Sequence, residues 1–322
     1  MARTTKRKPK RTRRERPIAP PTPVWRRRWL VLSVAAAAGF AGALAVALAY
    51  DRDDGPVGSP VAAVRSEEDP GPVHVHGLGV NPADRSLFIA THTGMWELTP
   101  GEREPARVGT SRQDTMGFTV AGRGRFLGSG HPDVREARAR GLPPLLGLIE
   151  SRDLGRTWRP VSLLGEADFH VLRSAGDRVY GYDASNDRLL ASGDGGRTWQ
   201  ERQRPAPIFD LAAAPDEPAR LLATTTEGLF ESTDGGDSWR RKSDAVGLLG
   251  WPAARRLFLV AGSGQLVVSR DGGRSWGERG SIGGVPAAFL ARSPAELYVA
   301  LHDGAIRRSD DGGWSWTTLS GP

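Results

Sequence analysis

The chain has 322 residues, 39% of them hydrophobic, which is enough for one large domain with appended segments. It contains no cysteine, so disulfide bonds and thiolate metal sites are excluded. The net charge of +7 conceals an uneven distribution, because residues 1–28 carry twelve Lys and Arg against one acid, a net +11, and leave −4 for the remainder. A mildly acidic remainder argues against nucleic-acid binding.

The N-terminal region predicts a membrane anchor. Residues 1–28 are basic and almost free of apolar side chains, as in a disordered cytoplasmic tail. Within residues 29–50, the uncharged run Leu30–Ala49 would span about 30 Å as a helix, the thickness of a bilayer core. The arginines before it hold the N-terminus in the cytoplasm. We predict a single-pass signal anchor in the plasma membrane, with a cleaved signal peptide as the alternative.

Residues 51–72 are polar and rich in Pro and Gly, which is typical of a linker. The anchor orientation then puts the domain that follows, residues 73–322, outside the cytoplasm. The membrane is thus the first predicted partner of this chain.

The rest of the chain is organised by one eight-residue motif that occurs five times. Its clearest copy is SGDGGRTW, and the copies start 37 to 41 residues apart. A period of about 40 residues is typical of repeat folds in which each repeat is one supersecondary unit. The copies start at Ser151, Ser192, Ser232, Ser269 and Ser309.

Turn chemistry explains the motif without catalysis. Asp-x-Gly-Gly closes a tight hairpin, because the Asp side chain caps backbone N–H groups and the glycines tolerate positive φ. The Trp then fills the gap between neighbouring repeats. The residues given this structural role are Asp153, Trp158, Asp194, Trp199, Asp234, Trp239, Asp271, Trp276, Asp311 and Trp316.

The pattern S-x-D-x-G-x-[TS]-W resembles the Asp box, or BNR repeat, of sialidase-like β-propellers. The resemblance covers about residues 73–320 and implies an all-β propeller of four-stranded blades, with each box on the turn between the third and fourth strands. It does not by itself imply sialidase activity, because Asp boxes also occur in carbohydrate-binding, sorting-receptor and assembly-factor propellers.

Counting the strand patterns predicts six blades. The stretch VHVHGLGVNPADRSLFIATHTGMWEL repeats the first three strands of a blade, with Leu98 in place of the box Ser and Pro100 in place of the box Asp. This blade therefore precedes the five that carry boxes. Their first strands are predicted near Phe118, Val171, Leu211, Leu248 and Phe289.

The second blade has an insertion at residues 132–146, between its second and third strands. Because strand direction alternates within a blade, this loop should lie on the rim of the ring opposite the box turns. We expect the functional surface on that rim, with the insertion as a partial lid.

All six histidines are predicted on the same rim. His92, His131 and His302 align at the end of a second strand, and His74, His76 and His170 lie at the start of a first strand. Clustered imidazoles suit proton transfer or a divalent metal such as Zn or Cu. We predict metal ligands among His74, His76, His92, His131 and His302. The alternative is that these imidazoles are polar filler bonded to backbone groups.

Several acids could act with these histidines. We predict Asp168, His170 and Asp114 as catalytic residues and His131, Asp133 and Tyr182 as substrate-binding residues, because a carboxylate can orient an imidazole or serve as acid or base. Glu166 and Asp303 lie close in sequence to the same set.

Comparison with sialidases also reveals differences. The family holds the sugar carboxylate with an arginine triad whose first member lies in a Phe-Arg-Ile-Pro segment, and this chain has no such segment. A closer resemblance is to bacterial lone-propeller proteins called glycosyl-hydrolase-like, which share H-x-HGLG-x-NP at His74–Pro82, GHPD at Gly130–Asp133 and LLGEADFH at Leu163–His170. Their name implies glycan hydrolysis, although the recurring residue in these segments is His.

The sequence therefore leads to two functional hypotheses for this rim. One is a sialidase-like glycosyl hydrolase or glycan-binding module. The other is a non-catalytic metal-binding or assembly propeller with a cell-envelope protein as partner. A bound metal favours the second, and sugar release favours the first.

Overall fold

In the computed structural model, which describes Met1 and residues 71–321, the chain forms a ring of six four-stranded antiparallel sheets. Each sheet is one blade and is built from four consecutive strands. The first strands of the blades contact one another in sequence around the ring, and that of blade 6 contacts that of blade 1. The predicted six-bladed β-propeller is confirmed.

The strand bounds follow the repeat. Blades 1 to 3 comprise β1 Val75–Val80, β2 Leu87–Thr91, β3 Gly94–Leu98, β4 Ala106–Val108, β5 Asp114–Gly122, β6 Arg125–His131, β7 Leu148–Ser151, β8 Arg159–Ser162, β9 Phe169–Ala175, β10 Arg178–Asp183, β11 Arg188–Ser192 and β12 Gln200–Arg202. Blades 4 to 6 comprise β13 Ile208–Ala213, β14 Leu221–Thr225, β15 Gly228–Ser232, β16 Arg240–Ser243, β17 Leu248–Ala253, β18 Arg256–Val260, β19 Gln265–Ser269, β20 Gly277–Ser281, β21 Pro286–Ala291, β22 Leu297–Leu301, β23 Ile306–Ser309 and β24 Thr317–Ser320. All five predicted first-strand positions lie in first strands.

The core lies between the blades. Second strands such as β2, β14 and β22 are buried along their whole length, because both faces of a blade pack against neighbouring blades. One apolar cluster occupies each of the six blade boundaries within residues 71–321. The five box tryptophans each pack against the cluster between their own blade and the preceding one, as predicted.

The repeated turns are closed by the bonds that their sequence predicts. Ser192 Oγ donates to Asp194 Oδ1 at 2.7 Å and accepts from Gly196 N at 2.9 Å. The same carboxylate accepts from Thr198 N at 3.0 Å and from Thr198 Oγ1 at 2.6 Å. Equivalent bonds form in the other four turns, and each turn joins the third and fourth strands of its blade. These bonds lower the pKa of the box aspartates.

The ring closes between blades 6 and 1 without a strand shared between the two ends of the described chain. Ile89 and Trp96 of blade 1 pack in one cluster with Tyr298 and Ile306 of blade 6. Beside this cluster, Glu296 Oε1 accepts from Arg85 Nη2 at 2.7 Å and from the Tyr298 hydroxyl at 2.6 Å, while Arg292 donates to Oε2. An apolar contact and an ion-pair network together join the ends of the ring.

The insertion of blade 2 contains a helix, α1 (Val134–Arg140), where the sequence predicts a loop. Asp133 caps its N-terminus by accepting from Arg135 N at 2.8 Å, and Gly141 ends it with φ of 62°. The predicted position of the insertion, between the second and third strands, is confirmed.

The predicted tail at 1–28, signal anchor at 29–50 and most of the linker at 51–72 lie outside the described residues. Within the described part of the chain, no helix has both the length and the apolar character needed to span a bilayer. These segments stay predictions from sequence.

We predict that Ser232→Ala lowers the free energy of unfolding by about 2 kcal/mol, because it leaves the buried N–H of Gly236 without its acceptor. Urea denaturation followed by tryptophan fluorescence measures the loss. Ser174→Ala, at a partly exposed serine of β9, is the matched control and should unfold as the parent does. Equal urea midpoints for the two variants would contradict a structural role of the box serine.

We also predict that Glu296→Gln destabilises the ring closure by about 2 kcal/mol at pH 7. Burial raises the pKa of Glu296, but bonds from Tyr298 and Arg292 outweigh burial and lower it below the unfolded-state value of about 4.3. The stabilisation is therefore present above that value and is lost as the pH falls through the folded-state pKa.

The difference between parent and Glu296→Gln should accordingly shrink from pH 7 to pH 3 in urea denaturation. Glu278→Gln, at an exposed glutamate of β20, is the control and should change little at either pH. The same loss in both variants would mean that the Glu296 network does not hold the ring closed.

Candidate functional site

The six histidines share one edge of the ring, as their strand positions predict. We call it the histidine rim, the edge at which first strands begin and second strands end; the box turns lie on the opposite edge, the box rim. His76 and His170 are the second residues of β1 and β9, His131 ends β6, and His92 and His302 follow β2 and β22. His74 directly precedes β1. The set covers blades 6, 1, 2 and 3, which are consecutive in the closed ring.

Asp114 joins two of these histidines across a blade boundary. His92 Nδ1 lies 2.8 Å from Asp114 Oδ2, and His76 Nε2 lies 3.4 Å from Asp114 Oδ1. One ligand atom from each of the three side chains falls within 4.8 Å of the others. Two imidazoles and one carboxylate at this separation form a donor set suited to a divalent metal.

The electrostatics of this first cluster favour an ionised carboxylate. Burial by itself raises the pKa of Asp114, but the contacts with His76 and His92 hold it well below its usual range. The bond to Asp114 raises the pKa of His92, although burial opposes it. His76 Nε2 and Asp114 Oδ1 are nevertheless buried without a hydrogen-bond partner. These two buried atoms can therefore still bind a ligand.

His74 and His302 flank this cluster at the ring closure. His74 has a φ of 51°, which is uncommon for a residue with a Cβ, and its ring centroid lies 6.1 Å from that of His92. His302 donates its backbone N–H to Val285 at 3.0 Å. Burial, with the nearby His74, lowers the pKa of the His302 imidazole. These two predicted metal ligands are neighbours of the first cluster.

A second cluster lies at the boundary of blades 2 and 3. His170 Nε2 is 2.9 Å from Asp168 Oδ2, and His131 Nε2 is 3.6 Å from the same oxygen. Asp168 Oδ1 is buried without a hydrogen-bond partner. His131 Nδ1 lies 3.0 Å from the carbonyl oxygen of Pro144. The two clusters are adjacent, because His131 is the register partner of Asp114 in the β5–β6 pair.

Two predicted substrate-binding residues have structural partners instead. Asp133 is buried as the N-cap of α1, and its Oδ2 accepts from Arg112 N at 3.0 Å. Burial raises the pKa of Asp133, and the bonds from Arg135 and Arg112 outweigh it and lower that pKa. Tyr182 is buried between blades 3 and 4, where its hydroxyl donates to Asp187 Oδ1 at 2.6 Å. Burial and Asp187 raise its pKa to about 12.

Two further acids of this rim, Asp303 and Glu166, form local hydrogen bonds and are not part of either cluster. Asp303 Oδ1 accepts from Ala305 N at 3.0 Å, and Glu166 uses its backbone carbonyl to accept from Asn186. The side chains of both acids are exposed. Of the predicted rim acids, the structure therefore brings Asp114 and Asp168 against histidines.

Two features of the structure were not predicted from the sequence. The Pro144 carbonyl against His131 carries no sequence signal, because any residue supplies a carbonyl. The buried Asp210 of β13 accepts from Leu249 N at 2.7 Å and from Arg173, linking blades 3, 4 and 5. Burial raises the pKa of Asp210. An acid within the apolar run IFDLAA was the signal that could have identified it.

The sequence comparison gives a partial match to a curated protein. No family model matches this chain. The photosystem II assembly protein Ycf48 of Thermosynechococcus vestitus is 29% identical over 138 residues, which cover 38% of this chain and 39% of that protein. The match thus spans well under half of the curated relative.

Solved structures share the fold. Ycf48 bound to a D1 peptide aligns with a TM-score of 0.51 and 16% identity, over 77% of this chain and 83% of that one. The GH74 enzyme of Niastella koreensis aligns with a TM-score of 0.52 and 14% identity, over 77% of this chain and 45% of that one. At these identities the likeness shows a common β-propeller fold. A shared fold does not imply a shared activity.

Proposed function

We propose that this chain is a metal-binding β-propeller that holds a divalent transition metal on His76, His92 and Asp114. The observation that carries this proposal is the proximity of the three side chains, whose ligand atoms lie within 4.8 Å of one another. They come from blades 1 and 2, so their proximity requires these two blades to pack together. A buried imidazole nitrogen and a buried carboxylate oxygen there have no other partner.

The donor set limits the choice of metal. Imidazole nitrogen suits zinc, copper, iron and nickel, whereas magnesium and calcium prefer oxygen ligands. With three protein ligands, zinc keeps a position for water or a further ligand. Zinc and copper are thus the best-matched ions, and the flanking His74 is the nearest additional imidazole.

We rank this role above glycoside hydrolysis because of the state of Asp114. A glycosidase ordinarily needs one carboxyl group that stays protonated to donate to the leaving oxygen. Asp114 has an imidazole nitrogen 2.8 Å from one oxygen and another 3.4 Å from the other. Burial by itself raises the pKa of Asp114, but these two contacts outweigh burial and hold the pKa below its usual range, which suits a metal ligand and not a general acid. The likeness to GH74 enzymes concerns the fold alone.

A protein partner at the same rim is a second candidate function. Val73, Val134, Leu164 and Val285 are exposed apolar residues, and all four lie on the histidine rim in the same arc of blades 6, 1, 2 and 3. Exposed apolar side chains grouped on one face are typical of interaction sites. Ycf48, the protein that matches part of this chain in sequence, is by its name an assembly protein. One of the solved Ycf48 structures that share the fold has a D1 peptide bound. A cell-envelope protein is the partner we propose.

We further propose the domain organisation that the sequence predicts: a cytoplasmic tail at 1–28, a signal anchor at 29–50, a linker at 51–72 and the propeller outside the cytoplasm. Its support is the apolar run between arginines and aspartates. In this arrangement the histidine rim is exposed to the metal ions and proteins of the cell envelope.

We predict that the His76→Ala/His92→Ala variant of the full-length chain binds one zinc equivalent fewer than the parent, or binds it at least about 100-fold more weakly. Isothermal titration with zinc, after removal of metal by a chelator, measures both quantities. Asp303→Asn removes an exposed carboxylate of the same rim outside the cluster and serves as the control. Unchanged stoichiometry and affinity in the double variant would refute the metal site, and release of sugar by metal-free protein would support the hydrolase hypothesis.

For the partner role, we predict that a photo-crosslinking residue at Val134 or Val285 captures a cell-envelope protein in living cells. The same residue at Trp314, which is exposed on the box rim, is the control and should capture none. Mass spectrometry of the adducts identifies the protein. Equal capture from both rims, or none from the histidine rim, would contradict a partner at this surface.

A further inference from the structure

We propose that blades 5 and 6 form a binding site for an acidic polysaccharide on the box rim, with an exposed tryptophan that stacks on a sugar ring and arginines that bind its anionic groups. We call these residues the basic patch, which consists of Arg255, Arg256, Arg270, Arg274, Arg279 and Trp314. The basic patch lies on the edge of the ring opposite the histidines. It therefore goes beyond the metal and partner roles proposed above.

The strand register of blade 5 brings its arginines together. Leu257 of β18 pairs with Ser269 of β19, so Arg256 and Arg270, the next residue outward on each strand, lie side by side at the box rim. Arg274 belongs to the same box turn as Arg270, and both of these side chains are exposed. One hairpin thus presents several guanidinium groups on a single edge.

These guanidinium groups have no ion-pair partner among the described residues. Elsewhere on the box rim arginines are neutralised, as where Arg125 lies 2.5 Å from Glu150. Burial lowers the pKa of Arg279, and the like charges of Arg270 and Arg256 lower it further, as expected for neighbouring guanidinium groups. The positive charge of the basic patch is therefore uncompensated, and an anion at this surface is attracted by several charges at once.

Arg279 connects this charge to Trp314 of the next blade. Its buried side chain donates from Nε to Gly312 O at 2.7 Å and from Nη2 to Asp311 O at 2.9 Å. Its guanidinium carbon lies 4.1 Å from the centroid of the Trp314 ring, a cation–π contact. Arg279 is thus a positioning residue that supports one face of the indole.

Trp314 has no structural task of the kind that other residues have at its position in the box turn. In blades 2 and 3 that position holds Arg156 and Arg197, which donate to the carbonyl of their own box aspartate at 3.1 and 2.6 Å. In blade 6, Arg279 takes this carbonyl instead. Trp314 is 64% exposed, so the face of its indole away from Arg279 is open to solvent.

An aromatic face beside unpaired arginines matches an acidic sugar. The indole offers a flat apolar surface to the C–H face of a pyranose ring, and guanidinium groups bind carboxylate or sulfate through paired hydrogen bonds. Among residues 71–321, Trp314 is the one exposed large apolar side chain on the box rim. A membrane surface is bound by several apolar side chains, and single-stranded nucleic acid stacks on successive aromatic rings.

Fluorine spectra of the full-length chain labelled with 5-fluorotryptophan test the proposal, because they report binding at Trp314 itself. The probes are tri-galacturonate, which carries carboxylates, and its fully methyl-esterified form, which is uncharged. We expect the Trp314 resonance, assigned with Trp314→Phe, to shift with tri-galacturonate and not with the ester. Binding to the basic N-terminal segment would instead shift the resonances of Trp25 and Trp29.

The arginines are tested by the same titration. Arg256→Gln/Arg270→Gln should weaken the affinity measured at Trp314 at least about 10-fold, because charge-assisted hydrogen bonds to the carboxylates are lost. Arg138→Gln/Arg140→Gln removes the same charge from exposed positions of α1 on the histidine rim, and this control should bind as the parent does.

The outcomes that would overturn the site are distinct. A Trp314 resonance that does not respond to tri-galacturonate would do so, and so would equal affinities of the arginine variant and its control. Arg255→Gln/Arg274→Gln, at two exposed side chains, replaces the first arginine variant if that one fails to fold. Tighter binding at Trp314 of a single-stranded oligonucleotide or of phosphatidylglycerol vesicles would also overturn the proposal and assign the basic patch to nucleic acid or lipid.

Discussion

The packing of each blade against its neighbours is the interaction on which this structure depends. A four-stranded sheet with second strands as apolar as LFIAT and LLATT has two faces to bury, and only a closed ring buries both. The last boundary joins strands that lie at opposite ends of the described chain. Its apolar cluster and the Glu296 network bring His302 beside His74. Part of the candidate site therefore exists only when the ring is closed.

Because strand direction alternates within each blade, the box turns and the histidines lie on opposite edges of the ring. On the box rim, Ser, Asp and Gly satisfy one another within each turn, and the same bonds recur five times. On the histidine rim, three buried polar atoms of His76, Asp114 and Asp168 remain without partners. Among these three, the His76 and Asp114 atoms belong to the cluster that offers two imidazoles and a carboxylate to one ion.

Much of this arrangement could be predicted from sequence because it depends on local patterns. The repeat period gave the blade count, turn chemistry placed the boxes, and strand alternation placed all six histidines on one rim. Contacts across blades could not be predicted, since they depend on how one blade is rotated against the next. Asp114 between His76 and His92 is such a contact, and so is the burial of Tyr182 between blades 3 and 4. The helix in the insertion was missed because seven residues carry little periodicity, and its cap gave Asp133 a structural task.

The most direct test of a metal site at Asp114 is a crystal structure of the zinc-loaded protein, with anomalous difference maps recorded on both sides of the zinc absorption edge. We expect an edge-dependent peak about 2.0–2.2 Å from nitrogen atoms of His76 and His92 and from an oxygen of Asp114. A fully loaded crystal without a peak between these three side chains would contradict it.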